Sequence, residues 1–189
     1  MFYIQADHFA GPGLRTSPAH RFAVYLSQIV GAASVGPSGV RLETGIPCRR
    51  RPAHKPCPGF VDTVRVDVPA TIEWICPVCA DSGVVSNWKH GDWNLAEAMP
   101  DPGETTTILV PGPIYRALLS CLFVEVTTLQ AVLSGRRTAD GMVRMRASDD
   151  QLISLTGELS LQILHARSTG RRRQLAEALQ LMEQVQSLG

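Results

Sequence analysis

The sequence predicts an α+β protein: a small antiparallel three-stranded meander between an N-terminal helix and a mostly helical C-terminal half ending in a helical hairpin. Three observations predict it. Apolar residues recur at helical spacing before residue 35, alternate with a period of two from Phe60, and return to helical spacing after residue 110. Four of the five cysteines lie between Cys48 and Cys79, astride the alternating segment. The 189 residues fit one domain or two small ones, with expected divisions of 1–45 (helix and lead-in strand), 46–95 (the meander) and 96–189 (the helical region).

Residues 18–34 read as the first helix. Ser17 is placed to cap it, Pro18 suits the first helical position, and Phe22, Leu26, Ile29, Val30 and Ala33 share a face. Gly-Pro-Ser-Gly at 36–39 ends it, and Val40 to Thr44 is a short extended piece. In the meander, Val64, Val66 and Val68 fall on one strand face opposite Arg65 and Asp67. Pro69-Ala70 turns the chain, Ile72, Trp74 and Cys76 alternate with Thr71, Glu73 and Ile75, and Gly83 to Trp88 forms the third strand.

Residues 89–104, with two Pro and two Gly, are the boundary candidate, although Trp93 and Leu95 are expected to pack back on the meander. Thr106 to Val110 reads as a short strand, Pro113 to about Leu122 and Glu125 to Leu133 as helices, and Met142 to Arg146 as a strand. Ser148 and Gln151 make a capping-box pattern ahead of a helix whose stripe is Leu152, Leu155, Leu159, Ile163 and Ala166. Gly170 is the expected break. A last helix carries Leu175, Ala178, Met182 and Val185, so the two helices should form a hairpin.

Composition bounds the function. With 44% hydrophobic and 19% charged residues the chain is neither disordered nor fibrous, and its Gly and Pro content, about 15%, is slightly above the usual ~12%. The net charge of +1 implies no polyanionic partner by itself. No signal-like or membrane-length apolar run is visible, which leads us to expect a soluble, cytoplasmic protein with no membrane association.

The strongest chemical pattern is Cys48-x8-Cys57 followed, after 18 residues, by Cys76-Pro-Val-Cys79. A tight Cys-x2-Cys knuckle aims two sulfurs at one centre, and a second pair returning across a hairpin completes a tetrahedron about 2.3 Å from zinc. The alternatives are three cysteines with His54 replacing Cys48, free thiols, or a reversible disulfide. A closed four-thiolate set leaves no open coordination position, so one zinc would be structural and not catalytic. Cys121, in an apolar helical run, reads as core.

TIEWICPVCADSGVVSNW resembles a zinc ribbon, and the likeness extends from residue 48 to about 93, roughly a quarter of the chain. It is similar to short bacterial zinc-ribbon proteins of unassigned function. The departure is at the first pair, where eight residues replace the usual two to four.

Charge is unevenly placed. Arg49, Arg50, Arg51 and Lys55 crowd the loop between the first two cysteines, and Arg171, Arg172 and Arg173 cluster near the break in the hairpin. Arginines so grouped can grip phosphates as charge-assisted, often bidentate donors, so the first functional expectation is a nucleic-acid-binding module. The bland reading is solvated surface. Trp74, Trp88 and Trp93 either stack bases or fill a small sheet's core. The other functional class is a protein-interaction or adaptor module, with the Leu152/Leu155/Leu159 stripe docking a partner or a second copy. No catalytic constellation is readable among the histidines or acids, so an enzyme ranks third.

Overall fold

The computed structural model of the protein describes residues 2–5, 18–90, 93–96, 105–121, 123 and 125–187. Ser17 and Leu122 lie outside them. The chain divides into two compact units, Met1–Glu97 and Ala98–Gly189. No helix among the described residues is long and apolar enough to cross a membrane.

The first unit is a sheet covered by one helix. Its elements are β1 (Phe2–Gln5), α1 (Pro18–Ser34), β2 (Arg41–Pro47), β3 (Phe60–Asp67), β4 (Ala70–Ile75) and β5 (Ser82–Ser86). The strand order is β1-β5-β4-β3-β2, antiparallel throughout except that β1 runs parallel to β5. The expected three-stranded ribbon is therefore corrected to a five-stranded sheet. The three expected strands are β3, β4 and β5, and β1 and β2 extend them on either side.

The helix packs by its predicted face: Leu26, Ile29, Val30 and Ala33 are wholly buried. Among the strands packed against it, β4 contributes Ile72 and Trp74, also buried. Trp74 faces Gly83 across the β4–β5 pair, and a Cβ at Gly83 would lie 2.2 Å from the indole, so glycine is what lets the ring settle there. The valine face of β3 is the other side. Arg65 donates to the Ser34 carbonyl (2.6 Å) at the C-terminal end of α1, where a cation complements the helix dipole, while Val64 and Val66 are half-buried and Val68 is exposed beyond the strand. Alternation sorted the two faces of β3, but Trp74 and Ile72 supply the apolar bulk on the side that carries Arg65.

In the second unit, β6 (Thr106–Pro111) leads into α2 (Gly112–Leu119), then α3 (Val126–Leu133), β7 (Arg136–Arg137), β8 (Met142–Ala147), α4 (Asp149–His165) and α5 (Thr169–Gln186). β8 pairs antiparallel with both β6 and β7. Ile108, Val110, Val143 and Met145 bury one sheet face, and Tyr115, Leu118, Leu133, Leu175, Ala178 and Met182 complete the core.

The capping box forms in full: Ser148 accepts from the Gln151 N–H (3.3 Å) and the Gln151 side chain accepts from the Ser148 N–H (2.9 Å). Gly170 does not break the hairpin. It lies in the first turn of α5, and the interruption is at residues 166–168, where Ser168 caps α5 through the Arg171 N–H. Leu152, Leu155 and Leu159 are buried inside the unit, so the stripe expected to dock a partner is core. Ile153, Leu161 and Leu164 are the exposed apolar residues of α4 instead.

Candidate metal centre

Two hairpins of the first unit turn at the same end of its sheet, and each turn carries two cysteines. Pro47 opposite Phe60 closes the β2–β3 ladder. Beyond it the Cys48 N–H donates to the Gly59 carbonyl (2.8 Å) and the Cys57 N–H to the Arg50 carbonyl (2.9 Å). These two bonds bring Cys48 and Cys57 together across the long spacing. The intervening residues loop outward through a short 3-10 turn at Pro52–His54. At the other turn, the Cys76 N–H donates to the Asp81 carbonyl and the Ala80 N–H to the Cys76 carbonyl, both 2.8 Å, which folds Cys76-Pro-Val-Cys79 into a tight knuckle.

The four sulfurs all lie within 4.8 Å of one another. Cys48 and Cys79 are 3.5 Å apart and Cys57 and Cys76 3.8 Å, close to the ~3.8 Å edge of a sulfur tetrahedron with metal–sulfur bonds of about 2.3 Å. A disulfide needs about 2.05 Å, and all five cysteines are free thiols. Cys48, Cys57 and Cys76 are buried, with Cys79 half-buried at the mouth. The residues present thus fit a metal that takes four sulfurs. His54 is exposed and is not part of the cluster.

Backbone donors prepare the sulfurs for negative charge. The Arg50 N–H points at Cys48 Sγ and the Gly59 N–H at Cys57 Sγ, both at 3.4 Å. Burial pushes the Cys48 thiol well up. Burial acts the same way on Cys79, but the Asp81 N–H and the three neighbouring thiols outweigh it and hold Cys79 below the ordinary thiol value. Gly59 is essential to the fit: a Cβ there would stand 2.6 Å from Cys76 Sγ and 2.9 Å from Val78.

The basic residues separate into two kinds. Arg49 and Arg50 approach the buried carboxylate of Asp81 (Nε to Oδ2 3.4 Å, Nε to Oδ1 3.7 Å), and the Arg49 guanidinium lies 4.3 Å from the Phe22 ring centre. Arg51 and Lys55 are exposed and form no ion pair among the described residues. In the second unit Arg171 donates to the Ser120 carbonyl (3.0 Å), Arg172 to the Ala166 carbonyl (3.2 Å), and Arg173 pairs with Glu177 (3.2 Å). Trp74 and Trp88 are buried and Trp93 half-buried, so the first two serve the core and offer no open ring to a base. Cys121 is buried and bonded to the Ala117 carbonyl, and it is not one of the four clustered cysteines.

Asp81 is the residue that spacing did not single out. Its only sequence signal is its place two residues after Cys79, where the backbone of a knuckle faces the sulfur. Comparison of the chain with protein-family models, curated proteins and solved structures finds no match.

Proposed function

We propose that the protein is a zinc-binding module in which one zinc, held by Cys48, Cys57, Cys76 and Cys79, locks the two hairpin turns together, and in which the loop between the first two cysteines contacts the phosphates of a nucleic acid. The observation that carries the reading is the closure of four sulfurs to tetrahedral distances at the ends of two hairpins. Zinc suits four thiolates, and with no position left for water or substrate its role is structural. No enzymatic step is proposed.

The nucleic-acid part is supported by Arg51 and Lys55, which stand exposed with His54 around the outward turn. Arg49, Arg50 and Arg171 to Arg173 already have partners within their own units and are weaker candidates. A second reading, a protein-interaction module, is favoured by the exposed Ile153, Leu161 and Leu164 of α4.

The test has two stages. Protein purified without added zinc should carry one zinc per chain, and Cys76→Ser or Cys79→Ser should release it. The zinc-loaded protein is then titrated with single- and double-stranded oligonucleotides over a salt series. Affinity should fall steeply with log salt, and Arg51→Ala and Lys55→Ala should each reduce that slope by about one. Metal retained by both cysteine variants refutes the site. Failure to bind at low salt moves the function to a protein partner.

A further inference from the structure

A zinc ion inside four thiolates leaves two surplus negative charges, and here they sit where three of the four sulfurs are buried. Asp81 adds a third. Its side chain is only 3% exposed, its carbonyl is bonded to the Cys76 N–H, and its own N–H faces Cys79 Sγ. Buried charge of one sign is stable only beside compensating charge. The cations beside it are those of Arg49 and Arg50, whose Nε atoms lie 3.4 Å from Oδ2 and 3.7 Å from Oδ1 of Asp81.

Arg49 is also fixed from behind. Its guanidinium lies over the Phe22 ring at 4.3 Å and within 5.8 Å of the Tyr25 ring centre, so helix α1 supplies an aromatic wall and Asp81 the acceptor. Tyr25 turns a buried hydroxyl, without a hydrogen-bond partner, toward the same corner. Arg51 and Lys55, in the same basic run, point outward with no such support.

Resting on the zinc reading above, we infer that Arg49, with Arg50, is the charge partner of the metal centre, aimed at it by Asp81, and that these two arginines retain metal rather than grip phosphate. The basic loop thus has two jobs. Its first two arginines balance the tetrathiolate, and the outer pair remains for an anionic ligand.

The test measures zinc affinity of the full chain by competition with a chromophoric chelator. Arg49→Met, which keeps the aliphatic packing on Phe22 and loses the charge, should weaken zinc binding about tenfold or more, the usual scale for groups that support metal ligands from behind. Arg49→Lys, which keeps the charge, should stay within about threefold of the wild type, and Arg51→Met should match it. In an Asp81→Asn background the guanidinium is no longer held, and the Arg49→Met effect should shrink below about threefold.

Equal weakening by Met and Lys would mean packing and not charge, and would overturn the inference. So would an unchanged affinity in Arg49→Met. Should Arg49→Met fail to fold, Arg50→Met at its more exposed position replaces it, and no loss of zinc affinity there overturns the inference. Wild-type protein that takes up no zinc refutes the zinc reading and this inference with it. Normal zinc binding by the wild type and every variant refutes this inference alone.

Discussion

At the scale of single residues, the candidate metal centre depends as much on what is missing as on what is present. Gly59 follows Cys57 by two positions, and its N–H donates to that cysteine's sulfur. Its bare Cα lets Cys76 Sγ and Val78 approach to distances no Cβ tolerates. Gly59→Ala must therefore push the two hairpin turns apart. We expect zinc affinity to drop by about tenfold or more, read by chelator competition, while far-UV circular dichroism stays near wild type. The cysteines were legible as a set because metal ligands are chemically rare and their spacing is constrained. The division of labour among Arg49, Arg50, Arg51 and Lys55 was not. Four cations between positions 49 and 55 look alike in sequence, and only the position of Asp81 distinguishes them.

At the scale of elements, the cap of α4 makes a clean test. Ser148 and Gln151 satisfy each other's backbone donors, and the Gln151 side-chain amide also donates to the Thr127 carbonyl in α3 (3.0 Å). Ser148→Ala should cost about 1 kcal/mol in urea unfolding, the usual worth of an N-cap. Gln151→Ala should cost more, because it loses the cap and the tie to α3 and leaves the Thr127 carbonyl without that donor. Equal costs would show that the tie contributes nothing. Helix caps were readable because they are local. The break between α4 and α5 falls before Gly170 because a glycine is tolerated in a first turn, and Ser168 is the better cap. β1 escaped notice for a different reason: four residues at the chain start make a strand only by pairing with β5, some 80 positions away.

At the scale of the whole molecule, the two units should respond differently to metal. The four cysteines all belong to the first unit, Met1–Glu97, and the second unit has its own core of Tyr115, Leu118, Leu155, Leu159 and Leu175. Structural zinc contributes roughly 10 kcal/mol or more in small peptides at neutral pH, comparable to the full stability of a domain. Chelation should therefore accelerate amide hydrogen exchange across residues 41–86 and leave residues 106–187 unchanged.

Acid should do the same, and the sign follows from the thiols. Zinc binds the deprotonated forms, so protons compete with it, and the stabilisation is present at neutral pH and lost as pH falls. As pH falls, the raised Cys48 thiol takes its proton back before the lowered Cys79 thiol does. Exchange that rises equally in both units after chelation would refute a metal effect confined to the first.

The sequence by itself determined the α+β character, the helical second half, the core face of α1, and the four cysteines, because each rests on local periodicity or on rare ligand chemistry. The tertiary structure alone decided that the expected three strands become five, that Thr63 and Arg65 rather than Val64 and Val66 lie on the helix side of β3, and that the Leu152 stripe is core. It also decided which arginines stand beside Asp81. These outcomes depend on which surfaces meet across long stretches of chain. Periodicity names an apolar face, but it cannot say what that face will be packed against.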